Sequence, residues 1–219
     1  MKQEKMYPKG IETRDRIVEA AKKIFYNHGY KNSTLKMITE EAEVSLSAVP
    51  YYFRKKYQIV REIYNDFLET IYAFLKENLA ELPDSYQLHF YATRIYYRII
   101  LGDDNNRRFY IEVNNSEHNY MLAYPFIDQV YENYAKDFNI PLTEMQRQLM
   151  RMADGGGRKE ILDRYFNNMI DIDVDDLCDY LTSLAGTLIG IHMLVAEKYA
   201  KKSTEFVNTL DYSHIKILI

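Results

Sequence analysis

Apolar side chains recur along nearly the whole chain at the three- and four-residue steps of an α-helix. The clearest stripe is formed by Ile17, Ala20, Ala21, Ile24 and Phe25. These residues share one helix face, which has to be buried against another element. No run combines strand-like alternation with flanking turn signals. Because the 219 residues include only 8 Gly and 5 Pro, a turn-rich β-sandwich is disfavoured. The sequence predicts an all-α protein.

Breaks in this pattern divide the first 55 residues into three helices joined by short turns. The first stripe ends near Gly29, Ser33 and Thr34 offer caps for a short second helix, and Ser45 can cap a third that reaches about Tyr52. Three helices in this arrangement are typical of a helix-turn-helix DNA-binding head. In that geometry the third helix lies in the major groove.

The remaining residues have the same helical period. The predicted helices cover about 56–82, 85–101, 107–115, 120–137, 144–166 and 174–201. Thr143 and Gln146 have the spacing of a capping box at the start of the fifth of these. The triple glycine at 155–157 predicts an interruption of that helix, and it lacks the pattern of a phosphate-binding loop.

Charge differs sharply between the two parts of the chain. Residues 1–60 contain 12 basic and 7 acidic side chains, whereas residues 61–219 contain 16 basic and 25 acidic ones. A basic head on an acidic body predicts that only the head meets a polyanion, with chance asymmetry as the alternative. Lys2, Lys5 and Lys9 would either enter the minor groove or form a disordered tail.

No segment has the features of a membrane span or an export signal. The most apolar stretch, 181–196, is too short and too polar to cross a bilayer. We therefore expect a cytoplasmic protein without a membrane partner.

A set of fixed spacings runs over about residues 12–60: Arg16-Ile17, Ala20-Ala21, Phe25, Gly29-Tyr30, Ser33-Thr34, Ile38, Ala42-Glu43-Val44-Ser45, Tyr51-Tyr52-Phe53 and Lys56. Together they resemble the N-terminal domain of the TetR/AcrR transcriptional regulators. The resemblance implies an all-α homodimer with a helix-turn-helix DNA-binding domain over residues 1–56. A helical ligand-binding and dimerisation domain would cover residues 57–219. Members mostly repress transcription from a near-palindromic operator and release the DNA when a small molecule binds.

The resemblance also implies which residues contact DNA. Thr34, with Ser33 beside it, and Lys56 match positions that hold phosphate. The base-reading stretch and its aromatic neighbours match Ser45, Leu46, Ser47, Ala48, Tyr51 and Tyr52. Hydroxyl groups there donate to or accept from base edges, and Ala or Tyr contacts a thymine methyl.

Three residues depart from the family pattern. Pro50 replaces a frequent phosphate-binding tyrosine and is expected to kink the reading helix. Glu43 and Ser47 stand where glycine is common, and a left-handed backbone at Glu43 costs more than at glycine. Pro50 motivates an alternative function, a small-molecule-binding or scaffold protein that has lost regulated DNA binding.

Residues 61–219 carry 15 of the 21 tyrosines. Several pointing inward would suit a cavity for an aromatic or amphipathic effector, with Tyr97, Tyr120 and Phe126 as candidate liners. The alternative is that most are half-buried boundary residues. Arg94 and Arg98 share a helix face and would meet either an anionic ligand or nearby acidic residues.

No catalytic, cofactor or metal site is indicated. His89, His118 and His192 lack ligand spacing, and Cys178 is interpreted as a small buried residue. Without a nucleophile–base set an enzyme is not expected. The apolar stripe over 177–195 would form a dimer interface with the helix around 144–166, or else pack inside one subunit.

Overall fold

The computed structural model describes residues 8–116 and 119–219, without the side chains at 8–9 and 119–125. The lysines at 2, 5 and 9 lie outside these described side chains. The described residues form ten α-helices and no strand, which confirms the all-α prediction. The helices are α1 Pro8–Asn32, α2 Leu35–Glu41, α3 Ala48–Tyr52, α4 Lys56–Asn78, α5 Ser85–Leu101, α6 Asp104–Asn114, α7 Asn119–Asp137, α8 Glu144–Phe166, α9 Val174–Ile189 and α10 Met193–Val207.

The first three helices pack around the apolar stripe of α1. All five stripe residues are buried, together with Ile38 of α2, Val49 of α3 and Phe53 beyond it. Ile59 and Ile63 at the start of α4 join the same core. Burying this surface stabilises the head because each large aliphatic or aromatic side chain contributes about 1.5–3 kcal/mol. Gly29 leaves helical geometry with φ 76°, and one more turn follows to Asn32.

Helix α5 is the centre of the body and contacts α4, α6, α7, α9 and α10. It starts at Ser85, as predicted. The Asp84 carboxylate caps it by accepting hydrogen bonds from the backbone N–H groups of Tyr86 and Gln87. Helix α9 approaches α5 closely at Gly186, where a Cβ atom would overlap the hydroxyl of Tyr86. Glycine is therefore required at position 186 unless the Tyr86 ring moves.

The structure corrects two predicted helices. The segment 174–201 is broken into α9 and α10 because Gly190 adopts φ 96°, a left-handed conformation that ends α9. His192 then caps α10, accepting from the backbone N–H of Leu194. In contrast, α8 continues through the triple glycine at 155–157 without interruption, because it is packed between α7 and α9. Its predicted capping box of Thr143 and Gln146 is confirmed.

Across residues 8–116 and 119–219, no helix combines the length and apolar character needed to cross a membrane.

Candidate DNA-binding face and ligand cavity

Helix α2 is started by Thr34. Its hydroxyl oxygen accepts from the backbone N–H of Met37, while the residue itself remains exposed. A capping hydroxyl at an exposed helix N-terminus lies beside free backbone N–H groups, which suit a phosphate oxygen. This position is compatible with the predicted phosphate contact.

The turn between α2 and α3 contains the left-handed backbone expected at Glu43, which has φ 52°. Arg16 of α1 fastens this turn by donating to the carbonyl oxygens of Ala42 at 2.5 Å and Glu43 at 3.2 Å. A non-glycine residue in this conformation is strained by about 1–2 kcal/mol. The hydrogen bonds from Arg16 help to hold it.

The segment 45–52 presents an exposed surface, although α3 itself begins only at Ala48 rather than at Ser45. Leu46 is 65% exposed and Tyr51 is 76% exposed. The hydroxyl oxygens of Ser45 and Ser47 lie 3.1 Å apart on this surface. The Leu46 and Tyr51 side chains are therefore accessible to a binding partner.

Ala48 and Tyr52 are half-buried at the edge of the exposed surface. The ring of Tyr52 packs edge-on against Tyr51, with ring centroids 4.9 Å apart. Tyr52 therefore packs against one side of the Tyr51 ring, and the rest of the Tyr51 ring is open to solvent.

Pro50 does not kink α3, contrary to the prediction. It is the third residue of the helix, where a backbone N–H has no intrahelical acceptor to lose. The helix continues to Tyr52, and the N–H of Phe53 donates to the carbonyl oxygen of Val49 at 2.7 Å. Helix α3 is intact despite this departure from the family pattern.

Ser33 and Lys56 point into the protein. Ser33 is 3% exposed, and its hydroxyl donates to the carbonyl oxygen of Gly29 at 2.5 Å. The Lys56 ammonium donates to the carbonyl oxygens of Tyr30 and Ser33, the latter at 2.7 Å, and lies 4.1 Å from the centroid of the Tyr30 ring. Burial lowers the pKa of Lys56, while Glu112 raises it. Both residues join the end of α1 to the start of α4.

Further basic side chains flank the exposed surface. Four of them are exposed and lie within or close to α2 or α3 in the chain: Lys31, Lys36, Arg54 and Lys55. Sequence reasoning did not single them out. The available signal was the excess of positive charge over residues 1–60.

The body encloses a cavity of about 350 Å³ between α4, α5, α6, α7 and α8. Of the three predicted liners, Tyr97 and Phe126 are on its wall, and Tyr120 lies outside the described side chains. Their contact with a ligand stays a prediction. A volume of this size is at the lower end of the range for small-molecule sites.

Four tyrosines of the cavity wall form a connected cluster. Tyr96 lies with its ring centroid 6.4 Å from Tyr64, 5.1 Å from Tyr97 and 6.3 Å from Tyr110. Burial raises the pKa of all four phenols, so their hydroxyl groups stay protonated at neutral pH. The buried Tyr64 hydroxyl lies near that of Tyr96 without the geometry of a full hydrogen bond. The cluster thus offers neutral hydrogen-bonding groups among ring faces.

The sequence did not point to the most polar part of the wall, which belongs to α8. Arg158 Nε donates to Asp154 Oδ1 at 2.7 Å, and the Asp154 side chain is only 2% exposed. Burial lowers the pKa of Arg158, but the Asp154 carboxylate, together with the Tyr97 and Tyr131 phenols, outweighs this effect and the pKa is raised overall. The signal in the sequence was the spacing of Asp154 and Arg158, an acidic and a basic residue four positions apart with three glycines between them.

Arg94 and Arg98 do not face the cavity. Arg94 pairs with Asp175 and, at 2.5 Å, with Asp179, and Arg98 pairs with Asp175 at 2.5 Å. These ion pairs fasten α5 to α9, as the pairing alternative predicted. Cys178 is buried beside them, and burial raises the pKa of its thiol.

Helix α6 lies between the cavity and the head formed by α1, α2 and α3. Tyr110 and Val113 face the cavity, and Glu112 faces α1. The Glu112 carboxylate accepts from the backbone N–H of Lys31 at 2.5 Å, and a Cβ atom at Gly29 would lie 2.7 Å from it. One rigid helix therefore contacts both the cavity and the end of α1.

Helices α8 and α9 leave apolar side chains uncovered on the outside of the body. Met145, Leu149 and Met152 recur at four- and three-residue steps on α8, and each is more than half exposed. Tyr180 on α9 is also exposed. Among the described residues, no group of three or more His, Cys, Asp or Glu side chains is placed to hold a metal ion.

Comparisons with known proteins agree with this architecture. Residues 17–63 match the family model of bacterial regulatory proteins, tetR family. The HTH-type transcriptional regulator TtgR of Pseudomonas putida is 37% identical over 59 residues, and the probable HTH-type transcriptional regulator YttP of Bacillus subtilis is 27% identical over 59. Each match covers 27% of this chain and 28% of the relative. The chain thus matches just over a quarter of the length of these curated relatives.

Solved structures extend the likeness beyond the head. RolR in complex with its ligand resorcinol has a TM-score of 0.61 and 16% identity, covering 89% of this chain and 95% of RolR. The regulator tylp from Streptomyces fradiae has a TM-score of 0.51 and 16% identity, covering 90% and 92%. At these identities the likeness concerns the fold.

Proposed function

We propose that this chain is a member of the tetR family of bacterial regulatory proteins and acts as a repressor that a small molecule releases from a near-palindromic operator. The observation that carries the proposal is the exposed surface of residues 45–52, presented by an intact helix-turn-helix on a body that encloses a cavity. The family consists of regulators rather than enzymes. Such a protein acts where the chromosome is, in the cytoplasm.

We propose that the exposed residues of the head read the DNA. Ser45, Leu46, Ser47 and Tyr51 would face base edges, and the half-buried Ala48 and Tyr52 would contact the groove wall. Thr34 would contact phosphate through its hydroxyl or the nearby backbone N–H groups. The exposed Lys31, Lys36, Arg54 and Lys55 add phosphate contacts.

Lys56 and Ser33 take a different place in the proposal. The inward hydrogen bonds of both side chains support a positioning role at the junction of α1 and α4. Two of the three N–H groups of the Lys56 ammonium donate to carbonyl oxygens, and the third would be available to a phosphate. The buried Ser33 hydroxyl would help to position the neighbouring Thr34, which contacts phosphate in this proposal.

We propose a division into a DNA-binding domain over residues 1–56 and a ligand-binding and dimerisation domain over 57–219. Helix α4 begins at Lys56, and its first turns pack into the core of the head. Most of its length belongs to the body, because Tyr64 and Tyr72 line the cavity. Movement of α4 would therefore move the head.

The uncovered apolar side chains of α8 and α9 support a homodimer. Met145, Leu149 and Met152 on α8 and Tyr180 on α9 would pack against their copies across a two-fold axis. Two heads held by one rigid body can dock two half-sites of a palindrome.

The cavity would take the effector, and α6 would carry its effect to the head. A molecule that fits better when α6 is displaced would shift the Glu112 carboxylate away from Lys31 and re-space the heads. The solved complex of RolR, a protein of the same fold, contains resorcinol. A small aromatic effector fits the tyrosine-rich wall of the present cavity.

The proposal is tested by selecting genomic fragments that bind the purified chain. Enrichment of a short near-palindrome is the expected result, followed by reduced transcription in vitro from a promoter carrying it. Activation would refute the repressor assignment. A failure to enrich any fragment would favour a small-molecule-binding or scaffold protein that has lost DNA binding.

A further inference from the structure

The cavity has a buried ion pair on its α8 wall. Asp154 and Arg158 are 2.7 Å apart, and their side chains are 2% and 17% exposed. Burying two charges is costly unless their remaining hydrogen-bonding sites are filled. Arg158 Nε uses one of five guanidinium donors on Asp154, and the Tyr97 hydroxyl lies close to the guanidinium group. A pair that borders an open cavity has room to accept a polar group.

The described groups that face the pair from the other elements are uncharged. His89 on α5 is buried and hydrogen bonded to Tyr134 of α7, and burial lowers its pKa to about 3. The phenols of α4, α5 and α6 are neutral for the reasons given above. Tyr131 of α7 lies beside the pair, and its buried hydroxyl has no hydrogen-bond partner within the described part of the chain.

The other charged residues of the wall are compensated. Lys159 pairs with Asp163 at 2.8 Å, and Glu160 pairs with Arg164 at 2.6 Å. The interior around Asp154 and Arg158 is therefore neutral in sum. A carboxylate ligand would meet Asp154 and an ammonium ligand would meet Arg158, so either suffers repulsion from one member of the pair.

A hydroxyl group suits both members. It donates to a carboxylate oxygen and accepts from a guanidinium N–H at the same time. The ring faces of Tyr96, Tyr97 and Phe126 offer stacked or edge-on contacts to an aromatic ligand. A volume of about 350 Å³ corresponds to about a dozen waters of ~30 Å³, which restricts the ligand to one or two rings.

We infer that this cavity binds a neutral hydroxylated aromatic molecule of one or two rings, with its hydroxyl group on the Asp154–Arg158 pair. The inference rests on the proposed function only in identifying this molecule as the effector.

The test measures binding of four matched probes to the full chain by calorimetry in the absence of DNA. The probes are 2-naphthol, naphthalene, 2-naphthoate and 2-naphthylmethylammonium. We expect 2-naphthol to bind at least about tenfold more tightly than each of the others, because a hydrogen bond to a charged group is worth about 1.5–3 kcal/mol. Equal binding of naphthalene, tighter binding of either ion, or no binding of 2-naphthol would overturn the inference.

The variant Asp154→Asn tests whether the Asp154 carboxylate recognises the hydroxyl group of the ligand. The variant keeps the side-chain shape but leaves the Arg158 charge uncompensated. The affinity for 2-naphthol should therefore fall about tenfold, and the affinity for 2-naphthoate should rise relative to it. Glu205→Gln, in the exposed pair with Lys201 on α10, is the control and should keep the wild-type order of probes. An unchanged ratio of the two probes in folded Asp154→Asn contradicts the inference. If the variant does not fold, the four-probe series on the wild-type chain decides.

Failure of the inference and failure of the proposed function give different results. Selective DNA binding without 2-naphthol binding overturns the ligand class and leaves the DNA-binding regulator standing. Binding of 2-naphthol that does not release selected DNA supports the ligand class and contradicts release by this effector.

Discussion

Lowering the pH from 7 to 5 should destabilise this protein through His89. Its imidazole is buried in the cavity wall, hydrogen bonded to Tyr134 and edge-on to Phe126 at 6.0 Å between ring centroids. Burial, followed by repulsion from Arg158, lowers its pKa from 6.5 to about 3. The unfolded chain therefore takes up a proton between these values and the folded chain does not.

The magnitude follows from this difference in proton uptake. Stability is retained above the unfolded pKa of 6.5 and is lost as the pH falls towards 3, at about 1.4 kcal/mol per pH unit. Between pH 7 and pH 5 the loss amounts to about 2 kcal/mol, since the slope acts over about one and a half units. This is a large share of the roughly 5–15 kcal/mol typical of a folded protein.

Urea denaturation of the wild-type chain and His89→Gln at both pH values measures the effect. Burial also raises the pKa values of the Asp66 and Asp179 carboxyl groups. Protonation of these two carboxyl groups on acidification stabilises the folded state of both proteins alike. The difference between wild type and His89→Gln therefore isolates the contribution of His89. His28→Gln, which removes an exposed imidazole, is the matched control and should behave as wild type. All measurements use one fixed protein concentration, because the apparent stability of an oligomer depends on it. Equal acid sensitivity of wild type and His89→Gln would refute the reasoning.

Three further predictions concern the head. Tyr51→Ala should change the preferred operator in a fragment selection while shifting stability by no more than about 0.5 kcal/mol, because the ring is exposed; unchanged preference would remove Tyr51 from the reading face. Lys56→Met should lower stability in urea by about 2 kcal/mol through loss of its bonds to Tyr30 and Ser33, and an unaltered midpoint would contradict the positioning role. Glu43→Gly should raise stability by about 0.5–1 kcal/mol by relieving φ 52°, so a lower urea midpoint argues against strain there.

Local signals were sufficient for much of the fold. The stripe of α1 and the capping box of Thr143 and Gln146 depend on residues close in sequence, and both were predicted correctly. Periodicity could not tell that Gly190 ends a helix while Gly156 continues one, because a helix tolerates glycine wherever neighbouring helices hold it. The outcome was decided by the packing of α8 and α9.

The candidate site shows the same limit. Tyr97 was predicted as a liner because inward aromatic residues suit a cavity, and it does face the cavity. Ser33 and Lys56 were expected at the DNA surface, yet their hydrogen bonds join α1 to α4, which are distant in sequence. The Asp154–Arg158 pair resembles an ordinary surface ion pair until the fold turns that helix face inwards.

The ratio of affinities for the selected near-palindrome and for unrelated DNA, measured at one physiological salt concentration, tests the central claim most directly. A regulator of the proposed kind should prefer its operator by at least about 10³-fold. It should also lose affinity steeply as salt rises. A ratio close to one would contradict the assignment of residues 45–52 as a sequence-reading surface.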